Sequence, residues 1–282
     1  MTIKPLDRAK QYDAITSYLD HVYGEIIPPQ ANYGQVSKTE AEFLLNAVFN
    51  EKPSCIVEIG SASGTSTAHL LTALNLLGGT GELLAFEILE HCYFDSTKRP
   101  GFILDTIFPQ RSDRLQFHTG KCSFDLGDAL QGRSIDFLFI DANHTHPWAT
   151  IDTILALPFL SPNATVIYHD INLHHRGGPT KVHDKGPHNL FYHLPAAQKT
   201  VIGEFPYPNI GSLRIDTPPK VTLVNLLGLL FRFPWEAQAW PPLDDETIRR
   251  LKHFLERHWG KQAGLAFLHG IEFLGKTAAS AD

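Results

Sequence analysis

Short apolar runs recur through the middle of the chain, roughly 20–30 residues apart, with helical spacing between them. Cys55–Ile59, Leu83–Glu87, Leu115–His118, Asp136–Ile140 and Ala164–His169 are rich in Val, Ile, Leu and Phe and predict five strands. Thr65–Leu77, roughly Ser96–Phe108, Phe124–Leu130 and Trp148–Leu157 predict the helices between them. This alternation implies an α/β fold, a doubly wound and mostly parallel sheet with helices on both faces. Lys199–Glu204 and Ser212–Asp216 follow without a helical stretch between them and predict a hairpin closing one edge of the sheet.

The ends of the chain are helical in pattern. Residues 6–50 carry a break at Pro28-Pro29, and Ser37 with Glu40 three positions on forms a capping box for a helix over SKTEAEFLLNAVF. After Pro218-Pro219 the helical pattern runs to the end. The acidic turn Asp244-Asp245-Glu246 opens a helix of about fourteen residues, and another apolar pattern spans Ala263–Leu274. The organisation that follows is an N-terminal extension over 1–36, a central domain over 37–217 and a helical appendage over 218–282. The appendage is either a substrate lid or a contact between copies in a homo-oligomer.

Length and composition narrow the partners. The chain has 282 residues, which suits one large domain or two small ones. Hydrophobic residues make up 43% and charged residues 19%, a globular balance. A net charge of -6 does not favour nucleic acid as a partner. The run Val221–Phe233 is too short to span a bilayer and carries Asn225 and Arg232, so it predicts a helix face against the core. Cys55, Cys92 and Cys122 suggest no disulfide framework, and the N-terminus shows no apolar leader, so a reduced, cytoplasmic, soluble protein is expected. Eight histidines (His144, His146, His169, His174, His175, His183, His188, His193) crowd one stretch of the chain.

The sharpest local motif is Cys55-Ile-Val-Glu58-Ile-Gly60-Ser61-Ala62-Ser63-Gly64-Thr65: an apolar strand ending in an acid, then a Gly/Ser loop feeding a helix. Such a loop lets a ligand approach backbone N–H groups at a helix N-terminus. It is not a Walker loop, since Thr65 stands where the lysine belongs, and not a dinucleotide fingerprint, since Ala62 replaces the middle glycine. Glu58 favours a cationic ligand by Coulomb attraction. Glu87, ending the next strand, stands where a doubly wound sheet places an acceptor for a ribose diol. An amine-bearing nucleoside without phosphates, such as S-adenosylmethionine, meets both demands.

Glu58-Ile-Gly60-x-x-x-Gly64 followed by Glu87 resembles the class I S-adenosylmethionine-dependent methyltransferases over about residues 37–216. The resemblance implies a seven-stranded sheet whose last strand runs antiparallel. It implies that Gly60, Ser61, Ser63, Gly64 and Thr65 line the methionine end of the cofactor and that Glu87 holds the ribose. Lys121-Cys122-Ser123 would lie near the adenine.

A second polar constellation falls on the same edge. The fourth strand ends Ile140-Asp141-Ala142-Asn143-His144, and the fifth ends Tyr168-His169-Asp170-Ile171-Asn172. In open parallel sheets ligands bind outside the carboxyl ends of the strands. Asp141 and Asp170 come from adjacent strands, spaced to share a cation. Two carboxylates suit a hard ion such as Mg²⁺, while His169, Asn172 or His144 could add a ligand and admit a softer metal. This half resembles the metal-dependent O-methyltransferases of sugars and natural products. Asp141-Ala-Asn-His144 matches their acid–x–x–His motif, while His169-Asp170 departs from their acidic pair.

The expected activity is O-methylation of a small hydroxylated acceptor with divalent-metal assistance, the metal held by Asp141, His169 and Asp170 and the proton taken by His144, whose unperturbed pKa is about 6.5. Two alternatives stay open: a metal-dependent hydroxylase or hydrolase using Asp141, His144, His169 and Asp170, and a non-catalytic protein that keeps the fold. The His-rich stretch Asn172–His193 overhangs the same edge and is either a mobile lid or a solvated loop.

Overall fold

A computed structural model of the chain describes residues 8–110, 112–176, 178–236 and 243–279. The ends of the expected extensions, residues 1–7 and 280–282, lie outside the described residues, and so does the start of the chain on which the absence of a leader was read.

The seven strands are β1 (Cys55–Ile59), β2 (Glu82–Glu87), β3 (Leu115–Thr119), β4 (Ile135–Ile140), β5 (Leu160–His169), β6 (Lys199–Ile202) and β7 (Ile210–Arg214). They form one sheet in the order β3-β2-β1-β4-β5-β7-β6. The first five are parallel; β7 runs antiparallel to both β5 and β6. The reversal of direction in strand order lies between β1 and β4. That is where the sheet opens a crevice beyond its carboxyl ends.

The helices are α1 (Arg8–His21), α2 (Lys38–Glu51), α3 (Thr65–Leu77), α4 (Phe102–Ile107), α5 (Leu126–Leu130), α6 (Trp148–Ala156), α7 (Leu173–Arg176), α8 (Gly186–His193), α9 (Pro219–Arg232), α10 (Asp245–Trp259) and α11 (Lys261–Ala279). One face of the sheet is covered by α1–α4, through Ile15, Leu44, Leu45, Leu70 and Leu104. The other is covered by α5, α6, α8 and the C-terminal helices. Leu226 and Leu230 of α9, Leu251 and Leu255 of α10 and Phe267 of α11 are buried in the same cluster as Val57, Leu138 and Val166 of the sheet. The appendage thus extends the core. Among the described residues no helix is long and apolar enough to cross a membrane.

Two expectations on helices need correcting. The helix expected from Ser96 starts only at Phe102. Asp95 Oδ1 accepts from Thr97 N (3.0 Å) and Oγ1 (2.7 Å), which folds that stretch into a turn, and Gly101 enters α4 with φ +82°. The His-rich stretch, expected as a lid or a loop, holds two short helices, α7 and α8.

At the other end, Ser37 caps α2. Its Oγ accepts from Glu40 N at 3.3 Å, and its own N–H donates to Glu40 Oε2 at 2.7 Å. The N-terminal extension is pinned by a buried imidazole. His69 of α3 meets Tyr18 Oη at 2.9 Å and Tyr23 Oη at 3.2 Å, and burial drives its pKa down to about 3, so it is neutral. The extension therefore covers α3 directly behind the glycine loop.

Candidate active site at the carboxyl edge of the sheet

The loop after β1 is shaped by glycine. Gly60 has φ +90°, and a Cβ there would collide with the Asp141 carbonyl oxygen and lie 2.6 Å from Ala142 Cα. The loop and the β4 tip thus touch backbone to backbone, and Asp141 N donates to Ile59 O at 2.9 Å. Gly64, with φ +81°, lies under Gly101, whose Cα a Cβ would meet at 2.7 Å. Only glycine fits either approach. Gly64 is the N-cap of α3 and offers no side-chain acceptor to the first N–H groups of the helix.

Glu58 does not meet a ligand with a free carboxylate, as the sequence suggested. It is fully buried, and its oxygens accept from Ser61 Oγ (3.1 Å), Ser66 Oγ (2.5 Å) and Thr67 Oγ1. Ser63 Oγ and Thr65 Oγ1 bond each other at 2.9 Å, also buried. The hydroxyls of the motif therefore turn inward and brace the loop, and what remains for a ligand is backbone. Desolvation raises the Glu58 pKa to about 7 against the three hydroxyl bonds, which lower it.

This shift has a testable sign. The folded pKa of Glu58 lies above the unfolded value of 4.5, so the folded state binds the extra proton between them. Wild-type stability contributed by this group falls as pH rises from 4.5 to 7 and levels off above, by about 3 kcal/mol at ~1.4 kcal/mol per pH unit. Glu58→Gln should therefore gain about 3 kcal/mol relative to wild type between pH 4 and pH 8 in urea denaturation. A constant difference across that range would show that Glu58 is ionised at ordinary pKa in the fold.

Glu87 closes the loop on the other side. Its Oε2 accepts from Ala62 N at 2.8 Å and its Oε1 from Leu89 N at 2.9 Å. Two backbone donors fix the carboxylate while each oxygen keeps lone-pair capacity. After β3, Lys121 Nζ pairs with Asp125 at 3.1 Å and is half exposed. Cys122 is half buried, with its thiol pKa raised by burial. Ser123 departs from expectation: its Oγ is buried and donates to the buried Asp152 at 2.5 Å, so its hydroxyl does not reach the cleft.

Beside this loop stand four charged groups in contact. His144 Nε2 lies 2.8 Å from Asp170 Oδ2 and 3.7 Å from Asp141 Oδ1. His169 Nδ1 lies 3.1 Å from Asp141 Oδ1 and 3.4 Å from Asp170 Oδ1. Asn209 Nδ2 donates to Asp170 Oδ1 at 2.5 Å. Burial pushes each histidine's pKa down, but the two carboxylates outweigh it: His144 rises to about 10, and His169 is held well above its ordinary value. Burial likewise pushes the aspartates up, but the histidines pull Asp141 below the usual carboxylate range and Asp170 well below it.

The cation set differs from the expected one. Single ligand atoms of Asp141, His144 and Asp170 all lie within 4.8 Å of one another, and among the described residues this is the group that can hold a metal ion. His169 stands behind the carboxylates, its Nε2 turned away to Glu40 Oε2 at 3.4 Å. His144, expected as the base, is thus a ligand candidate. Its Nε2 is buried and lies between the two carboxylates, nearer Asp170. Two carboxylates and an imidazole fit a divalent cation. Asp141 does not cap α6, whose N-cap is Pro147 without a side-chain bond. Glu40 and Asn209 were missed in the sequence reading. The capping box was the only sign of Glu40, and Asn209 carried none.

Residues 57–171, from β1 to just past the β5 tip, match the family model for a methyltransferase domain. Over that segment the chain is similar to methyltransferase domains. The fold is shared with solved structures of low identity. A cofactor-bound protein, Rv0187 from MTB, is 18% identical with a TM-score of 0.50, covering 77% of this chain and 100% of the other. A Staphylococcus aureus protein assigned as a caffeoyl-CoA O-methyltransferase is 10% identical with a TM-score of 0.51, covering 73% of this chain and 95% of the other. A search of curated protein sequences finds no match.

Proposed function

We propose that this protein is a methyltransferase that transfers the methyl group of S-adenosylmethionine to a hydroxyl of a small acceptor, with a divalent cation such as Mg²⁺ or Mn²⁺ held by Asp141, His144 and Asp170. The single observation that carries this reading is the convergence of those three donors beside the glycine loop. The cofactor would lie across that loop, its ribose diol on Glu87 and its methionine end over the N–H groups of α3. Lys121 and Cys122 would border the adenine.

Methyl transfer from a sulfonium is an in-line displacement, so most of the catalytic task is positioning, worth roughly 7–11 kcal/mol. The β1–β4 backbone contact at Gly60 fixes the distance between the cofactor loop and the Asp141 tip. A cation bound there supplies Lewis acidity that lowers the pKa of an acceptor hydroxyl. With two acids and an imidazole converging, the site is built to hold a ligand oxygen next to the cofactor loop. Asp141 and Asp170 hold a positive charge in place, and His169 offsets part of their negative charge from behind.

Calorimetry with S-adenosylhomocysteine and with Mn²⁺, followed by a mass-spectrometric screen of hydroxylated acceptors, tests the reading. One mole of each ligand should bind per chain, and an acceptor should gain 14 mass units (about the mass of CH₂) only when Mn²⁺ or Mg²⁺ is supplied. S-adenosylhomocysteine binding with no acceptor methylated across the screen would favour a non-catalytic protein on the methyltransferase fold. Full turnover in a chelator would remove the cation from the account.

A further inference from the structure

Glu40 is unusual for a capping-box glutamate. The first turn of a helix normally leaves such a side chain in water, yet Glu40 is only 4% exposed. A buried carboxylate needs more than one backbone donor to offset its lost hydration. Its Oε2 accepts the Ser37 N–H at 2.7 Å and also lies 3.4 Å from His169 Nε2, while Oε1 is 3.9 Å from Arg176 Nη1. His169 is thereby held between acids at both ring nitrogens, Glu40 on Nε2 and Asp141 with Asp170 on Nδ1.

We propose that Glu40 is a positioning residue for the cation site: it fixes the His169 ring so that Nδ1 faces Asp141 and Asp170, and so orients the two carboxylates. This rests on the reading of Asp141, His144 and Asp170 as a cation site. The argument is one of ring orientation. A half-turn of the imidazole would put carbon atoms where the nitrogens now face carboxylates. With an acid at each nitrogen, that turn loses both ion pairs at once. Asp141 Oδ1 is then held from behind and presents its remaining lone pairs toward His144. Groups that orient a metal ligand in this way typically change metal affinity 10–100-fold when removed. The arrangement also joins α2, which follows the N-terminal extension, to the tips of β4 and β5.

Helix capping and positioning can be separated. Glutamine is as good as glutamate at the third position of a capping box, so Glu40→Gln keeps the helix start and removes the charge facing His169. Ser37→Ala does the reverse. Mn²⁺ and S-adenosylhomocysteine affinities are measured by calorimetry on both full-length variants, with the melting temperature. Glu40→Gln should weaken Mn²⁺ about tenfold and leave S-adenosylhomocysteine within about twofold, while the lost charge beside His169 lowers the melting temperature. Ser37→Ala should lower the melting temperature and keep Mn²⁺ affinity. Unchanged Mn²⁺ affinity in Glu40→Gln, or an equal loss in Ser37→Ala, overturns the proposal. A second readout does not depend on metal: in nitrogen-15 NMR the His169 Nε2 proton should exchange slowly in wild type and fast in Glu40→Gln. Wild-type protein that takes up no Mn²⁺ brings down the cation reading. In that case the proton exchange alone decides whether Glu40 holds the ring, and equal rates overturn that too.

Discussion

Asp170→Asn is expected to destabilise the metal-free protein by about 3–5 kcal/mol and to abolish cation uptake. The substitution is close to a pure change of charge. Asp170 sits at φ +57°, a left-handed conformation that asparagine tolerates better than almost any other side chain. The amide oxygen can still accept from Asn209 Nδ2, which now reaches Asp170 Oδ1 at 2.5 Å. What is lost is one of two carboxylates facing two imidazoles, the half-buried His144 at 2.8 Å and the buried His169 at 3.4 Å. Removing one partner of a buried ion network leaves uncompensated charge, which costs about 3–5 kcal/mol. Urea denaturation at pH 7 in a chelator checks this. A loss under about 1 kcal/mol would mean that the cluster is solvated and not an ion network.

Gly60→Ala has the second large effect, and it works through backbone. The new methyl would be driven into the Asp141 carbonyl and Ala142 Cα, neither of which can rotate away. Left-handed backbone costs about 1–2 kcal/mol for a residue with a Cβ, and overpacking adds about 1–3 kcal/mol. The β1 loop and the β4 tip would separate, so S-adenosylhomocysteine binding should drop at least tenfold along with stability. Calorimetry and thermal melting read both. Wild-type affinity in this variant would show that the loop is free to move and that its contact with β4 does not shape the cofactor site.

Much of the fold was legible in the sequence for physical reasons. β1 and α3 were bounded correctly, because a run that is apolar but for Glu58 meets Gly60 and a helical period meets Gly78. The edge hairpin was legible from the absence of helical spacing between its strands. α4 was not: its expected first turn competes with the Asp95–Thr97 side-chain turn, and the propensity of that stretch does not reveal the winner. At the site, which residues gather was visible from strand-tip logic, since Glu58, Glu87, Asp141 and Asp170 all end strands. Which way each side chain turns was not. Ser61, Ser63, Thr65 and Ser123 face inward because buried carboxylates and hydroxyls need partners, a fact fixed by tertiary packing. The exchange of His169 for His144 in the cation set has the same origin, since Glu40 on a distant helix claims the far nitrogen of His169.

The most direct test is anomalous diffraction from crystals grown with Mn²⁺ and S-adenosylhomocysteine. The account predicts one manganese peak between Asp141, His144 and Asp170, with the nucleoside across Gly60–Thr65 and its ribose on Glu87. A nucleoside in that place with no manganese between those three residues, or manganese seated instead among the other histidines, would contradict it.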